Sequence, residues 1–248
     1  MQDTIYLLGG HDLEMKEILA ILAENGRRFI DRQLHWGAKL SDYKDVLNDE
    51  DLFIGIELTQ DVQPPKFYEI IDHHNENSSR LSSLEQVALK IGILLNDRQR
   101  LIAANDSGYI PAMIALGASP EEIDEIRRLD REAQGVSVID EQLAQASIKS
   151  HLTKIGEVTV IKSLTDHFSP ITDRLFPSTQ LIIYTDRKLT YYGTGAGNLH
   201  LNFEELTRAN KIYYGGGPNG FFGIKQDALT QAELEAAKSK IIKVVNQD

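Results

Sequence analysis

A chain of 248 residues with 42% hydrophobic and 25% charged side chains has the apolar content for a buried core, and no apolar run reaches the ~20 residues of a membrane-spanning helix. The formal net charge of −11 argues against tight non-specific binding to long nucleic acid, which depends on many Lys and Arg contacts to phosphate. The lack of cysteine excludes disulfides and thiolate metal sites and, with an amino terminus that shows no basic leader, fits a cytoplasmic protein.

In chain order, Thr4 to Leu8 reads as a short buried strand, followed by Gly9-Gly10-His11-Asp12-Leu13-Glu14 and a helix from Met15 to Asn25. Strand, glycine turn and helix make half of a βα unit, which places the turn's polar side chains at the carboxyl edge of a sheet. Asp12 is also a natural helix N-cap. Arg28 to Asp31 reads as a second strand, leading to a loop with His35, Trp36 and Lys39. There the Trp could stack on a base, although packing against the core is the commoner fate of a single Trp. Leu52 to Glu57 is a third strand pattern that ends in a carboxylate. Tyr68 to Ile71 is a fourth, and it runs straight into Asp72-His73-His74. Ser82-Ser83-Leu84-Glu85 has the form of a capping box and starts a helix to about Leu95. The apolar stretch Leu101 to Ala104 then delivers Asp106, with Gly108 close behind.

Acids or imidazoles thus recur at Asp12/Glu14, Glu57, Asp72/His73/His74 and Asp106, each at the end of an apolar segment. In a parallel sheet such ends share one edge, so the groups converge. Carboxylates crowded without a cation repel one another, and two divalent ions relieve that repulsion.

Asp72-His73-His74 resembles the signature of the DHH phosphoesterase superfamily. Ile56-Glu57 stands where that family has a single Asp on the preceding strand, and Asn105-Asp106-Ser107-Gly108 looks like its downstream acidic motif. Gly10-His11-Asp12-Leu13-Glu14 keeps the first motif's acid-x-acid pair. Leu8, however, occupies the usual His position, and His11 stands directly before the first acid.

Beyond Pro120 the chain is strongly charged and reads as a helical connection between lobes. From Gly156 short strands follow at Val158–Ile161, Leu181–Tyr184 and Leu189–Tyr192, with Asp186-Arg187-Lys188 as a hairpin turn. A helix at Phe203–Ala209 and a strand at Ile212–Tyr214 precede Gly215-Gly216-Gly217-Pro218-Asn219, and an amphipathic helix runs from Thr230 to Val245. Three glycines let a backbone approach an anion closely. The run resembles the glycine loop of the family's C-terminal associated domain, with Pro218 and Asn219 in place of its last Gly and His.

The expected fold is α/β, with a mostly parallel Rossmann-like sheet lobe and a smaller C-terminal mixed α/β lobe. The expected segments are 1–118 for the metal-binding catalytic domain, 119–155 for the helical connector and 156–248 for the substrate-binding domain. The resemblance implies up to two ions, Mn²⁺ first and Mg²⁺ second, held by Asp12, Glu14, Glu57, His73 and Asp106, with His11 as a further candidate. It also implies that His74 contacts a phosphoryl oxygen or assists the leaving group while Asp72 orients the histidines. Gly215, Gly216, Gly217, Asn219 and Arg187 would hold the far end of the substrate. The expected activity is a phosphodiesterase on short or cyclic oligonucleotides, or a nucleotide phosphatase. The alternative is a catalytically weak nucleotide-binding regulatory module. The expected partner is a small phosphorylated or short oligonucleotide substrate, with no long double-stranded nucleic acid and no membrane. Oligomeric state stays open, a homodimer included.

Overall fold

The computed structural model describes residues 3–35, 37–74, 77, 79–215 and 220–246. The stacking expectation for Trp36 and the substrate-loop expectations for Gly216, Gly217 and Asn219 lie outside the described residues. The chain folds as two compact units, Met1–Gly135 and Val136–Asp248. The segment expected as a connector divides between the two units. One of its helices belongs to the first unit and the other to the second, with the division after Gly135.

In the first unit, β1 (Thr4–Leu8), β2 (Arg28–Asp31), β3 (Leu52–Ile56) and β4 (Tyr68–Ile71) form one parallel sheet in the order β2-β1-β3-β4. The near-continuous apolar runs of β1 and β3, each with four of five residues buried, suit central strands covered on both faces. Register sets the site. Leu8 lies opposite Ile56, and Ile56 opposite Ile71. The residues that follow these three, Gly9, Glu57 and Asp72, therefore leave the sheet along one edge.

Helix α1 (Leu13–Glu24) packs against α2 (Ser83–Ile91), α3 (Asp97–Ala115) and α4 (Pro120–Ala133). Helix α2 begins at the Ser82/Glu85 capping box and stops short of the expected end, because Gly92 takes the left-handed conformation (φ +79°) that closes a helix. The apolar stretch Leu101–Ala104 is buried, but it is helical. Asn96 and Gln99 cap the start of α3, and Asp106 comes from that helix instead of from a strand end. A four-residue apolar run fits a buried strand and a buried helix turn equally well, so length and capping decide. Non-helical backbone at Tyr109 (φ 58°, ψ −153°) breaks α3 two residues before Pro111, whose ring and missing N–H resist a continuous helix.

The second unit opens with α5 (Val138–His151) and carries a mixed sheet in the order β5-β6-β7-β8-β10-β9. Its strands are β5 (Leu152–Ile155), β6 (Val158–Lys162), β7 (Gln180–Tyr184), β8 (Leu189–Gly193), β9 (Ile212–Gly215) and β10 (Phe221–Ile224). Only β6 and β7 pair in parallel. A short helix α6 (Ser169–Arg174) joins β6 to β7, α7 (Glu204–Arg208) precedes β9, and α8 (Gln231–Val245) closes the chain. One core packs Tyr191, Phe222, Ile182 and Ile224 against Leu234 and Ile241 of α8. No helix among the described residues is long and apolar enough to cross a membrane.

Candidate metal centre at the sheet edge

Glu57, His73, His74 and Asp106 each bring one ligand-type atom into a group whose members all lie within 4.8 Å of one another. His73 Nε2 stands 2.8 Å from Asp106 Oδ2 and its Nδ1 3.8 Å from Glu57 Oε1, while His74 Nδ1 is 4.0 Å from Glu57 Oε1. His73 Nε2 and Asp106 Oδ2 thus face each other at 2.8 Å, both buried. Two ligands at right angles on an ion with bonds of ~2.1 Å are separated by about 3 Å, so this spacing suits cis ligands of one cation.

Neighbouring elements fix these side chains. The backbone N–H of Ser83 donates to His73 Nδ1 at 3.2 Å, and the Ser83 hydroxyl lies 3.1 Å from the same nitrogen. The next N–H, of Leu84, donates to Glu14 Oε1 at 3.0 Å. The free N–H groups at the start of α2 therefore hold both His73 and Glu14. The other Glu14 oxygen, Oε2, is buried and unpartnered. Asp72 Oδ1 accepts from the His74 backbone N–H at 2.8 Å and lies 3.1 Å from His74 Nδ1.

Asp12 and Glu14 stand beside this group and not inside it. Asp12 caps α1, its Oδ1 accepting from Met15 N–H at 2.8 Å. A Cβ built on Gly10 would lie 3.5 Å from Glu57 Oε2 and 3.8 Å from Asp12 Oδ2, so the two carboxylates flank one glycine. Glu57 itself has φ +55°, a left-handed conformation at the end of β3. Gly9 makes room for it, since a Cβ there would fall 2.4 Å from the Ile56 carbonyl oxygen and 2.5 Å from that of Glu57.

The electrostatics are those of crowded buried acids. Asp12 is pushed up to about 7, first by burial and then by the charges of Asp106 and Glu57. Glu14 is held well above the usual carboxylate range by burial, then by Asp106 and Glu57. Glu57 is raised by burial and then by Asp106. Burial pulls the His73 imidazole down, but Asp106, with Glu57 and Asp72, outweighs it and leaves a net rise.

Asp12 and Glu57 open onto a cavity of about 630 Å³ lined also by Gly9, Gly10, His11, His35, Gly37, Thr59, Asp72, His74 and Gln134. His11, expected as a ligand, lies outside the four-residue group. It stands edge-on to His35 with ring centroids 6.1 Å apart. Of the expected substrate residues, Gly215 ends β9. Arg187 lies in the β7–β8 turn, and Asp227 of its own unit takes its guanidinium through bonds of 2.9 and 2.6 Å.

A supporting layer on α4 has no counterpart among the sequence expectations. Arg127 Nη1 donates to Asn105 Oδ1 and to Asp130 Oδ2, both at 2.8 Å, and its guanidinium lies 4.7 Å from the centre of the Tyr109 ring. Asp130 Oδ1 accepts from Leu13 N–H at 3.3 Å and Oδ2 from Gln134 Nε2 at 3.1 Å. One buried ion pair thus holds the residue before Asp106 and the residue after Asp12. The i,i+3 spacing of Arg127 and Asp130 was the available signal, but in a helix this charged it reads equally well as a solvated face.

A parallel sheet that delivers Asp-His-His at its carboxyl edge, and a second unit of mixed α/β structure, make up the fold expected from the resemblance to the DHH type. No family model matches the chain, and no curated protein matches it in sequence. Solved structures do match. The chain is similar to the pGpG-specific phosphodiesterase PggH from Vibrio cholerae over 100% of its own length and 99% of that chain, at 15% identity and a TM-score of 0.52. The DHH domain of PF0399, a member of the s1p family of ribosomal proteins, is matched over 97% of this chain and 87% of that one (11% identity, TM-score 0.55). RecJ from Thermus thermophilus, solved with Mn²⁺, is matched over 99% of this chain and 52% of that one (12% identity, TM-score 0.53). At these identities the likeness establishes the fold.

Proposed function

We propose that this chain is a divalent-metal-dependent phosphoesterase that acts on short or cyclic oligonucleotides. One observation carries the reading. Glu14 Oε2 is buried without a hydrogen-bond partner, at the sheet edge where Glu57, Asp106 and Asp12 crowd their carboxylates together. A buried unpaired charge is costly, and a bound cation gives these carboxylates a partner. Carboxylate and imidazole donors with no thiolate fit Mn²⁺ or Mg²⁺. Similarity in fold to a phosphodiesterase and to a manganese-bound RecJ supports the same reading.

Glu57, His73 and Asp106 would hold an ion, and Asp12 and the free oxygen of Glu14 would complete the oxygen donors. When bound, the ions supply Lewis-acid polarisation of the phosphoryl group and an acidified water as nucleophile. The chain's own residues do the rest. Asp72 engages His74 Nδ1, so His74 as an imidazolium would donate its Nε2–H to a phosphoryl oxygen or give that proton to the departing oxygen. Ser83 keeps the His73 ring in its plane. Gly215 and the glycines after it are proposed to contact the remainder of the substrate.

The test is hydrolysis of bis-p-nitrophenyl phosphate and of dinucleotides with Mn²⁺, wild type against His73→Ala. Activity that depends on Mn²⁺ and falls at least 100-fold in the variant is expected. No turnover of any of these by the wild type, together with retained dinucleotide binding, would establish the regulatory alternative instead.

A further inference from the structure

We infer that the crevice between the ends of β1 and β2 is a ribose subsite, in which Asp31 accepts a hydrogen bond from a sugar 2′-hydroxyl. The inference rests on the phosphoesterase reading of the neighbouring cavity and adds a substrate class to it: short oligoribonucleotides in preference to oligodeoxyribonucleotides.

The crevice has a volume of about 190 Å³. Leu8, Met15 and Leu19 supply its apolar lining, and Lys16, Asp31 and Gln33 supply polar side chains. Gly10 and His11 line both this crevice and the cavity onto which Asp12 and Glu57 open, so the two spaces meet at that turn. A whole small ligand fills about 300–1,000 Å³, so the crevice takes one part of a substrate whose reacting phosphoryl group lies next door.

The polar groups select a sugar. Asp31 Oδ1 accepts from the Gln33 backbone N–H at 2.7 Å, and Oδ2 has no hydrogen bond or ion pair among the described residues. Arg32, the adjacent cation, is held instead by both oxygens of Asp45, each at 2.7 Å. An ionised carboxylate only accepts, so the free oxygen suits a hydroxyl and repels a phosphate. Gln33 adds an amide that both donates and accepts, from a left-handed backbone (φ +52°) that costs a non-glycine residue energy. Lys16, without an ion pair among the described residues, adds a further donor. The buried Tyr43 donates its hydroxyl to the Leu8 carbonyl at 2.6 Å and stands 3.2 Å from that of Ile30, which ties the ends of β1 and β2 together. Topology agrees with this chemistry. In nucleotide-binding βαβ units that open on a glycine turn, an acid about 20 residues further on, after the helix, bonds a ribose hydroxyl. Asp31 ends β2 directly opposite Leu8, the last residue before the Gly9-Gly10 turn. Asp12 occupies the start of α1, so the phosphate is left to the metal edge.

The experiment compares ApA with dApdA for wild type, Asp31→Ala and Gln33→Gly, by kcat/KM in Mn²⁺ and by calorimetric binding to the Ca²⁺-loaded proteins. Gln33→Gly suits the left-handed backbone and removes only the amide side chain, so it gives a second reading if Asp31→Ala does not fold. The wild type is expected to favour ApA about 10–100-fold in both measurements, as for one hydrogen bond to a charged group. That preference should vanish in Asp31→Ala and shrink in Gln33→Gly, through weaker handling of ApA, while cleavage of dApdA and affinity for Mn²⁺ hold. Equal treatment of the two dinucleotides by the wild type, or a preference kept in both variants, would overturn the subsite and leave the phosphoesterase reading intact. Loss of Mn²⁺ affinity in Asp31→Ala would make the residue a support of the metal centre and overturn the subsite too. Asp31-dependent preference for ApA in binding, without turnover, would support the subsite and sink the phosphoesterase reading. A wild type that neither binds nor cleaves either dinucleotide would sink both.

Discussion

Glu57 carries one methylene more than the Asp usual on the equivalent strand of the family it resembles, which extends its reach by over ~1 Å, while metal–ligand distances tolerate about ±0.2 Å. The backbone accounts for the difference. Glu57 turns into the left-handed region at the strand end, a conformation that costs a non-glycine residue about 1–2 kcal/mol, and Gly9 gives its carbonyl room. Side chain and backbone are therefore matched, and restoring the common Asp should do harm. Glu57→Asp is expected to lower Mn²⁺ affinity 10–100-fold with little change in melting temperature. A variant that binds Mn²⁺ as well as the wild type would show that the backbone geometry does not compensate for length. Glu14 follows a different logic. One of its oxygens is committed to Leu84 N–H, so the longer side chain reaches across to α2 as well as toward the acids.

At the scale of elements, helix ends and one buried ion pair place the ligands. The start of α2 holds His73 and Glu14, and Arg127 with Asp130 on α4 ties α3 to α1. Removing one partner of a buried, hydrogen-bonded pair costs roughly 3–5 kcal/mol, because the other charge is left unpaired. Arg127→Met should therefore lower the melting temperature markedly, whereas Asn105→Ala, which leaves the ion pair in place, should chiefly weaken Mn²⁺ binding. Thermal unfolding and metal titration of both variants separate these effects; an Asn105→Ala protein with wild-type Mn²⁺ affinity would remove α4 from the site's support. Much of this level was legible in the sequence. The apolar runs of β1, β3 and β4, the Ser82/Glu85 box and the Thr230 cap announce their elements through period and capping chemistry. Asp106 was legible as a site acid but not as a helical one, because Leu101–Ala104 has no distinguishing period. Arg127 and Asp130 were hidden for another reason. Burial of a charged pair depends on what packs over α4, and no local pattern carries that information. The same limit applies to Arg187, whose attachment to Asp227 spans 40 positions of sequence.

For the molecule as a whole, the acids of the first unit make its stability depend jointly on pH and metal. Asp12, Glu14 and Glu57 have folded-state pKa values above those of an unfolded chain, which are near 4. For such groups the stabilising contribution is fully present below the unfolded value and is lost as pH rises through the folded one, for Asp12 about 7. Without metal, the unit Met1–Gly135 should thus be more stable near pH 5 than at pH 7.5. A divalent ion binds the deprotonated acids, so its effect has the opposite trend. At 100 times its dissociation constant an ion adds about 2.7 kcal/mol, which for a unit of this size raises the melting temperature by roughly 5–15 °C. Scanning calorimetry with and without Mn²⁺ at the two pH values measures this directly. A clear rise at pH 7.5 that shrinks at pH 5 is expected. An equal rise at both would mean that protons and metal do not compete, and that the crowded acids at the sheet edge are not what the ion binds.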